Sequence, residues 1–369
     1  MTPPATFAVA AGTHSQLLAA GPRVASSSNS RRAQLRVRAV ATGPARRPVS
    51  SSPPPVAPAP ASPSPLQQAA PRRVPLGIQE VDNGAILGFS AELSEDHPGF
   101  HDAAYKQRRV NICNLARSHR IGEPIPHISY TAEEVAVWGS ALTRLEHLFQ
   151  QHACKEFQRS WPLFDLRPDA VPQLEDLSQV LQGTTGFRIR PVAGLLHPRD
   201  FLNGLAFRTF HSTQYMRHSS KPDYTPEPDV IHEVIGHLPM LADPSFASLA
   251  HAIGVASLAA DEEQLKHLVK LYWYTVEFGV VREGSDVKAF GAGILSSYGE
   301  LQHMAAGGAE VAPLDVWQPL PKISYKDGYQ KRYFALESFE AGAVELQAYC
   351  ASLQAGLTDE VRAAVGLAS

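Results

Sequence analysis

Two histidines, His232 and His237, stand five residues apart in Pro228-Asp229-Val230-Ile231-His232-Glu233-Val234-Ile235-Gly236-His237, and Glu277 follows forty residues later in Trp273-Tyr274-Thr275-Val276-Glu277-Phe278-Gly279. In a regular helix a step of five leaves two side chains about 140° apart around the axis. Both can reach one metal only where the helix ends at His237, or where the turn is wound wider in π fashion. The sequence favours an end, because Gly236 loosens the last turn and Pro239 opposes continuation. The spacing also sets the chain apart from a zinc protease, whose His-Glu-x-x-His puts its histidines four apart on one face. Two imidazoles and a carboxylate hold one side of a metal and leave the opposite positions open, the arrangement of mononuclear non-haem Fe(II) sites. Glu277 lies among Trp273, Val276 and Phe278, and a carboxylate there is costly to bury without a cation. Ligand types alone favour iron and leave zinc open.

Composition divides the chain. From Met1 to Gln79 there are nine arginines, no lysine and no acidic residue; the first carboxylate is Glu80. An Arg- and Ser-rich, acid-free start is the signature of an organelle transit peptide, and no apolar run there is long enough for a secretory signal. Val37-Arg38-Ala39-Val40 resembles a plastid processing site, so residues 1–39 are expected to be a chloroplast transit peptide. Residues 40–75 follow as a Pro-rich disordered linker, and 76–369 as the catalytic domain. The net charge of −3 becomes −12 once the nine N-terminal arginines are set aside. An acidic body argues against nucleic acid or an anionic membrane as partner, and no apolar stretch approaches the roughly 20 residues of a span. Cys113, Cys154 and Cys350 are odd in number and unpaired in spacing, and read as buried reduced thiols.

Beyond Gly88 the periodicity is mainly helical. Thr131-Ala132-Glu133-Glu134 is a capping box that opens a helix with the stripe Val135, Trp138, Leu142, Leu145, Leu148 and Phe149. Asp243-Pro244 opens another, and a third from about Asp261 carries Glu277 near its end. Strand-like runs are few; Arg188–Val192 and Val287–Gly291 are the best candidates. Without strand–helix alternation or internal repeat, the expectation is a mainly α single domain, with a few short strands, built around a cavity.

Longer motifs narrow this further. Asp96-His97-Pro98-Gly99-Phe100, Pro172-Gln173-Leu174-Glu175-Asp176, Gly186-Phe187-Arg188-Ile189-Arg190-Pro191-Val192-Ala193-Gly194-Leu195-Leu196, Thr213-Gln214-Tyr215-Met216-Arg217-His218, Tyr224-Thr225-Pro226-Glu227-Pro228-Asp229 and Gly291–Gln302 stand in order around the histidine pair. With them the chain resembles the pterin-dependent aromatic amino acid hydroxylases, most closely the phenylalanine hydroxylases, from about Leu76 to Phe339. The resemblance implies an iron-containing cavity in which O2 and a reduced pterin hydroxylate the ring of a free amino acid. The substrate expected is L-phenylalanine, giving tyrosine, with tryptophan hydroxylation as the alternative. His232, His237 and Glu277 are the implied metal ligands, and Glu233 and Tyr272 the implied catalytic residues. Glu233 also helps place the pterin. Arg217 is implied to grip the substrate carboxylate through its planar fork. Thr225, Trp273, Phe278, Gly293 and Ser296 line the substrate site, and Asp229 orients Arg217 or His232.

On the cofactor side, Gly194, Leu196 and Phe201 match the family segment, with Phe201 stacking on the pterin. Pro198 stands where animal relatives have a serine, and His197 replaces a second small polar residue. Recognition of the ring is therefore expected to persist and recognition of the tail to weaken, leaving tetrahydrobiopterin and a tetrahydrofolate both open as cofactor. The animal regulatory domain and the tetramerising C-terminal helix have no counterpart, so a monomer or weak dimer is expected.

Overall fold

The computed structural model describes residues 73–367, apart from 89–91, 96, 224, 226 and 324–327. The expected transit peptide, its processing site and residues 40–72 of the expected linker lie outside the described residues.

The described chain is mainly helical. A segment with strand β1 (Ile86–Gly88) leads into α1 (Ala103–Ser118) and α2 (Ala132–His152). Thr131 and Glu134 form the capping box at the start of α2, and Trp138, Leu142 and Leu145 form its fully buried face. Next come α3 (Lys155–Ser160), α4 (Leu174–Thr184), β2 (Arg188–Pro191), β3 (Leu195–Leu196), α5 (Pro198–Ala206) and β4 (Thr209–Ser212). After the histidine pair come α6 (Leu238–Leu241), α7 (Pro244–Ala259) and α8 (Glu262–Tyr272). Strands β5 (Gly279–Glu283) and β6 (Asp286–Ala289) follow, then α9 (Ala292–Leu295), α10 (Tyr298–Ala305), β7 (Glu310–Pro313), β8 (Arg332–Leu336), α11 (Phe339–Ser352) and α12 (Asp359–Ala364). Helix α7 is apolar on nearly every side, as a central helix must be, and packs against α5, α6, α8 and α11.

The strands form three small sheets. β1 pairs antiparallel with β3, and β2 parallel with β4. The third has the order β6-β5-β8-β7, with β5 and β6 antiparallel and the other neighbours parallel. The strand expected over 287–291 begins at Asp286 and stops at Ala289.

One expectation needs correcting. His232–His237 is a π turn rather than the end of an α-helix, and the chain continues helically through α6 despite Pro239. A π turn carries about one extra residue, so positions five apart come round to one face. Pro239 sits just where the wide turn passes into α6. Gly236 serves close packing: a Cβ there would lie 2.7 Å from the Ala292 carbonyl oxygen of α9.

Candidate metal centre

The segment bearing Glu277, Trp273–Glu277, is also a π turn, closed by Phe278 N–H donating to the Trp273 carbonyl five residues back at 2.9 Å. The two wide turns bring three donor atoms together. His232 Nε2 and His237 Nε2 are 3.1 Å apart, and Glu277 lies 3.5 Å from the first and 3.3 Å from the second. A cation about 2.0–2.2 Å from each of three donors at right angles would hold them about 3 Å apart. Among the described residues this is the group of His, Cys, Asp and Glu side chains that could hold a metal.

Hydrogen bonding fixes one of the rings. The Ser296 hydroxyl donates to the Ala292 carbonyl at 2.7 Å, so its oxygen accepts from His232 Nδ1–H at 3.0 Å. That tautomer leaves the lone pair on His232 Nε2, aimed at the other two donors. His237 is buried, and its Nδ1 has no hydrogen-bond partner. Burial and the facing His237 push the His232 imidazolium down to about 4 against the pull of Glu277. Burial acts to raise the Glu277 carboxyl, but His237 and His232 outweigh it and hold it below the usual range. Two imidazole nitrogens and an ionised carboxylate converging in a buried place fit a divalent metal of the iron type.

Around the triad, Asp229 is fully buried and bonded on four sides. It accepts from Arg217 Nε and Nη2 at 2.8 Å each, from Arg217 N–H at 2.9 Å and from His232 N–H at 3.1 Å. Burial would raise its carboxyl, but Arg217 leaves it depressed. The buried Arg217 fork thus has two donors committed, and among the described residues Nη1 approaches the Pro222 carbonyl at 3.4 Å. Glu233 accepts from Thr213 N–H and Oγ1–H at 3.0 and 3.1 Å. Burial, with Glu277 adding to it, pushes its carboxyl up to about 7 against Thr213 and His237.

Phe278 tilts against Trp273 at 4.7 Å between centroids, and a Cβ at Gly293 would stand 2.5 Å from its ring. Thr225 accepts from Glu227 N–H at 3.4 Å and is tied to that residue rather than to the triad. Of the residues expected to hold the cofactor, Gly194 and Leu196 are buried, and Leu196 pairs with Ile86 of β1. Phe201 is half-buried, edge-on to Tyr272 at 5.3 Å and to Phe210 at 6.1 Å, and Phe210 reaches His237 at 4.8 Å. The Tyr272 hydroxyl is buried without a hydrogen-bond partner among the described residues. His197 caps α5 by accepting from Arg199 N–H at 3.2 Å, with Pro198 at the first helical position. Both residues are exposed and spent on starting a helix.

Several neighbours escaped the sequence reading. Thr213 and Phe210 support Glu233 and His237 from β4 and the residue after it, and spacing carries no signal for either. Arg109 pairs with Glu227 in the interior, stacks on Tyr215 at 3.6 Å and shares Glu227 with His97, whose Nε2 is 3.2 Å away. Opposite charges in distant segments were the only trace of that pair.

The family model of the biopterin-dependent aromatic amino acid hydroxylases matches residues 72–361, and the chain belongs to that family. It is 57% identical to phenylalanine 4-monooxygenase, chloroplastic, of Chlamydomonas reinhardtii over 331 residues, 87% of this chain and 91% of that one. It is 60% identical to the protein of the same name from Physcomitrium patens, covering 76% of this chain and 72% of that one. The fold resembles Chromobacterium violaceum phenylalanine hydroxylase, solved with iron(III) and oxidised 7,8-dihydrobiopterin, at a TM-score of 0.60 and 31% identity over 67% of this chain and 90% of that one.

Proposed function

We propose that this protein hydroxylates free L-phenylalanine to L-tyrosine with O2 and a reduced pterin at an Fe(II) held by His232, His237 and Glu277. The observation that carries the reading is the convergence of three donor atoms within 3.5 Å, one ligand segment sharing Asp229 with the buried Arg217. Iron, when bound, supplies the activation of oxygen. The chain's residues do the placing. Arg217, held by Asp229, offers its remaining N–H groups to the substrate carboxylate. Trp273 and Phe278 form an aromatic wall, to which Gly293 allows close approach, and Thr225 completes the substrate side. Phe201, Leu196 and Gly194 form the bed of the pterin ring, beside Tyr272. Glu233, easily protonated near neutrality, is placed to exchange a proton or hydrogen bond with the pterin.

Phenylalanine is preferred to the alternative, tryptophan, because the relatives at 57–60% identity carry the phenylalanine name. With His197 and Pro198 committed to capping α5, biopterin's tail loses a partner, and a tetrahydrofolate serves as well as tetrahydrobiopterin. The chloroplastic names of those relatives and the acid-free, Arg-rich residues 1–39 support a plastid enzyme delivered by a cleaved leader, with 40–75 as linker and 76–369 as catalytic domain. Helix α11 packs back on α7, and Val361 of α12 joins a small apolar cluster on the same body, which supports a monomer or weak dimer. The test is product formation from phenylalanine, tryptophan and tyrosine, each with tetrahydrobiopterin and with tetrahydrofolate. Tyrosine from phenylalanine with either cofactor is expected; 5-hydroxytryptophan as main product would replace the substrate assigned here.

A further inference from the structure

The segment from Arg217 to Asp229 is fixed firmly at its two ends. At the ends, Arg217 pairs with Asp229, and Glu227 pairs with Arg109, all in the interior. Between them His218 lies edge-on to Tyr105 of α1 at 4.9 Å between centroids, and the other described contacts to the rest of the molecule are polar ones on the flanks of α1 and α2. His218 Nε2 lies 3.4 Å from Asp102, Ser219 donates to Glu133, and Arg144 of α2 pairs with Asp223. The Arg144 contact differs from the other two. Its guanidinium also lies over the Tyr298 ring, 4.0 Å from the centroid. Tyr298 opens α10, two residues beyond the Ser296 that holds His232.

We propose that Arg144 is a positioning residue for the amino acid substrate: it clasps the segment bearing Asp223 to the α9–α10 junction and so sets the distance between the two walls of the site. The inference rests on the substrate side assigned above to Arg217 and Thr225. Asp223 stands next to Pro222, whose carbonyl faces Arg217 Nη1, and two residues before Thr225. A shift of the clasp therefore moves a carbonyl against the arginine that is to take the carboxylate. Ion pairing and stacking on one guanidinium hold it in a single orientation, which a lysine ammonium cannot reproduce. The clasp lies on the surface, so its contribution is modest and screened by salt. None of its three members touches the donor atoms of the metal site, so loss of the clasp acts on substrate affinity and leaves the metal in place.

The test measures phenylalanine binding by calorimetry alongside KM and kcat for tyrosine formation, in the parent, Arg144→Ala, Arg144→Lys, and the reversed pair Arg144→Asp with Asp223→Arg. The Ala variant should weaken phenylalanine binding and raise KM about three- to tenfold, with kcat, iron content and Tm near those of the parent. The Lys variant should fall between the two, and the reversed pair should recover part of the loss relative to Arg144→Asp alone. Raising ionic strength from about 0.05 to about 0.5 M should weaken binding more in the parent than in the Ala variant, because only the parent has the clasp to lose. Equal affinity in parent and Ala variant at low salt, or a fall in kcat and Tm together without a change in affinity, overturns the clasp. A parent that binds phenylalanine without making tyrosine contradicts the proposed reaction instead, and the binding series still decides the clasp.

Discussion

Asp229 joins Arg217, the proposed grip on the substrate carboxylate, to His232, a proposed metal ligand. One buried carboxylate takes three donors of Arg217 and the backbone N–H of His232, so neither can be repositioned alone. Arg217→Lys keeps a charge but cannot span both oxygens of Asp229 while facing a ligand. It should raise the KM for phenylalanine about 10- to 150-fold, the equivalent of a lost charge-assisted bond of about 1.5–3 kcal/mol, with iron retained. An unchanged KM, read with iron content by metal analysis, would mean that the carboxylate is held elsewhere. At this scale the ligand types were legible in sequence, since two imidazoles and a carboxylate in apolar surroundings call for a cation. The sharing of Asp229 was not, because hydrogen bonds depend on side-chain directions that spacing does not carry. The same holds for Thr213 on Glu233 and for the tautomer that Ser296 imposes on His232.

The elements that matter most are the two π turns. A spacing of five pointed to a break in α geometry at His237, and the choice between an end and a wide turn was decided by packing. Gly236 and Pro239 read as stop signals taken alone; in the fold, the backbone of Ala292 presses against Gly236 and the helix runs on. Gly236→Ala puts a methyl within 3 Å of that backbone, a clash of the overpacking kind costing about 1–3 kcal/mol. It should lower Tm and reduce iron affinity together, because the turn that must shift carries both histidines. A variant with parental Tm and full iron loading would show that the turn has slack. The helices α2, α7 and α8 were legible from caps and stripes. Strands β7 and β8 were not, since they are four and five residues long and pair in parallel with partners brought together only by the fold.

For the molecule as a whole, the buried His211 and the half-buried His251 couple folding to pH. His211 on β4, cross-strand from Arg190, is pushed down to about 3 by burial and by that arginine. His251 is pushed down to about 4 by burial and Arg208, against its hydrogen bond to the Ala206 carbonyl. Each is neutral in the fold and takes up a proton on unfolding below its ordinary pKa of about 6.5. Their contribution is fully present above pH ~6.5 and is lost as pH falls toward the folded values, at no more than about 1.4 kcal/mol per pH unit for each. Urea unfolding of the parent and of His251→Gln between pH 6.5 and 5 should show the parent's stability falling more steeply, by up to one proton; parallel curves would contradict the burial argument. The central claim, that three side chains hold one catalytic iron, is tested most directly by titrating Fe(II) into metal-free protein while measuring tyrosine formed from phenylalanine with a reduced pterin. Activity should rise linearly and saturate at one iron per chain in the parent, and stay at background in His237→Ala and Glu277→Ala. Full turnover without iron, or saturation at one iron with full activity in either variant, would contradict it.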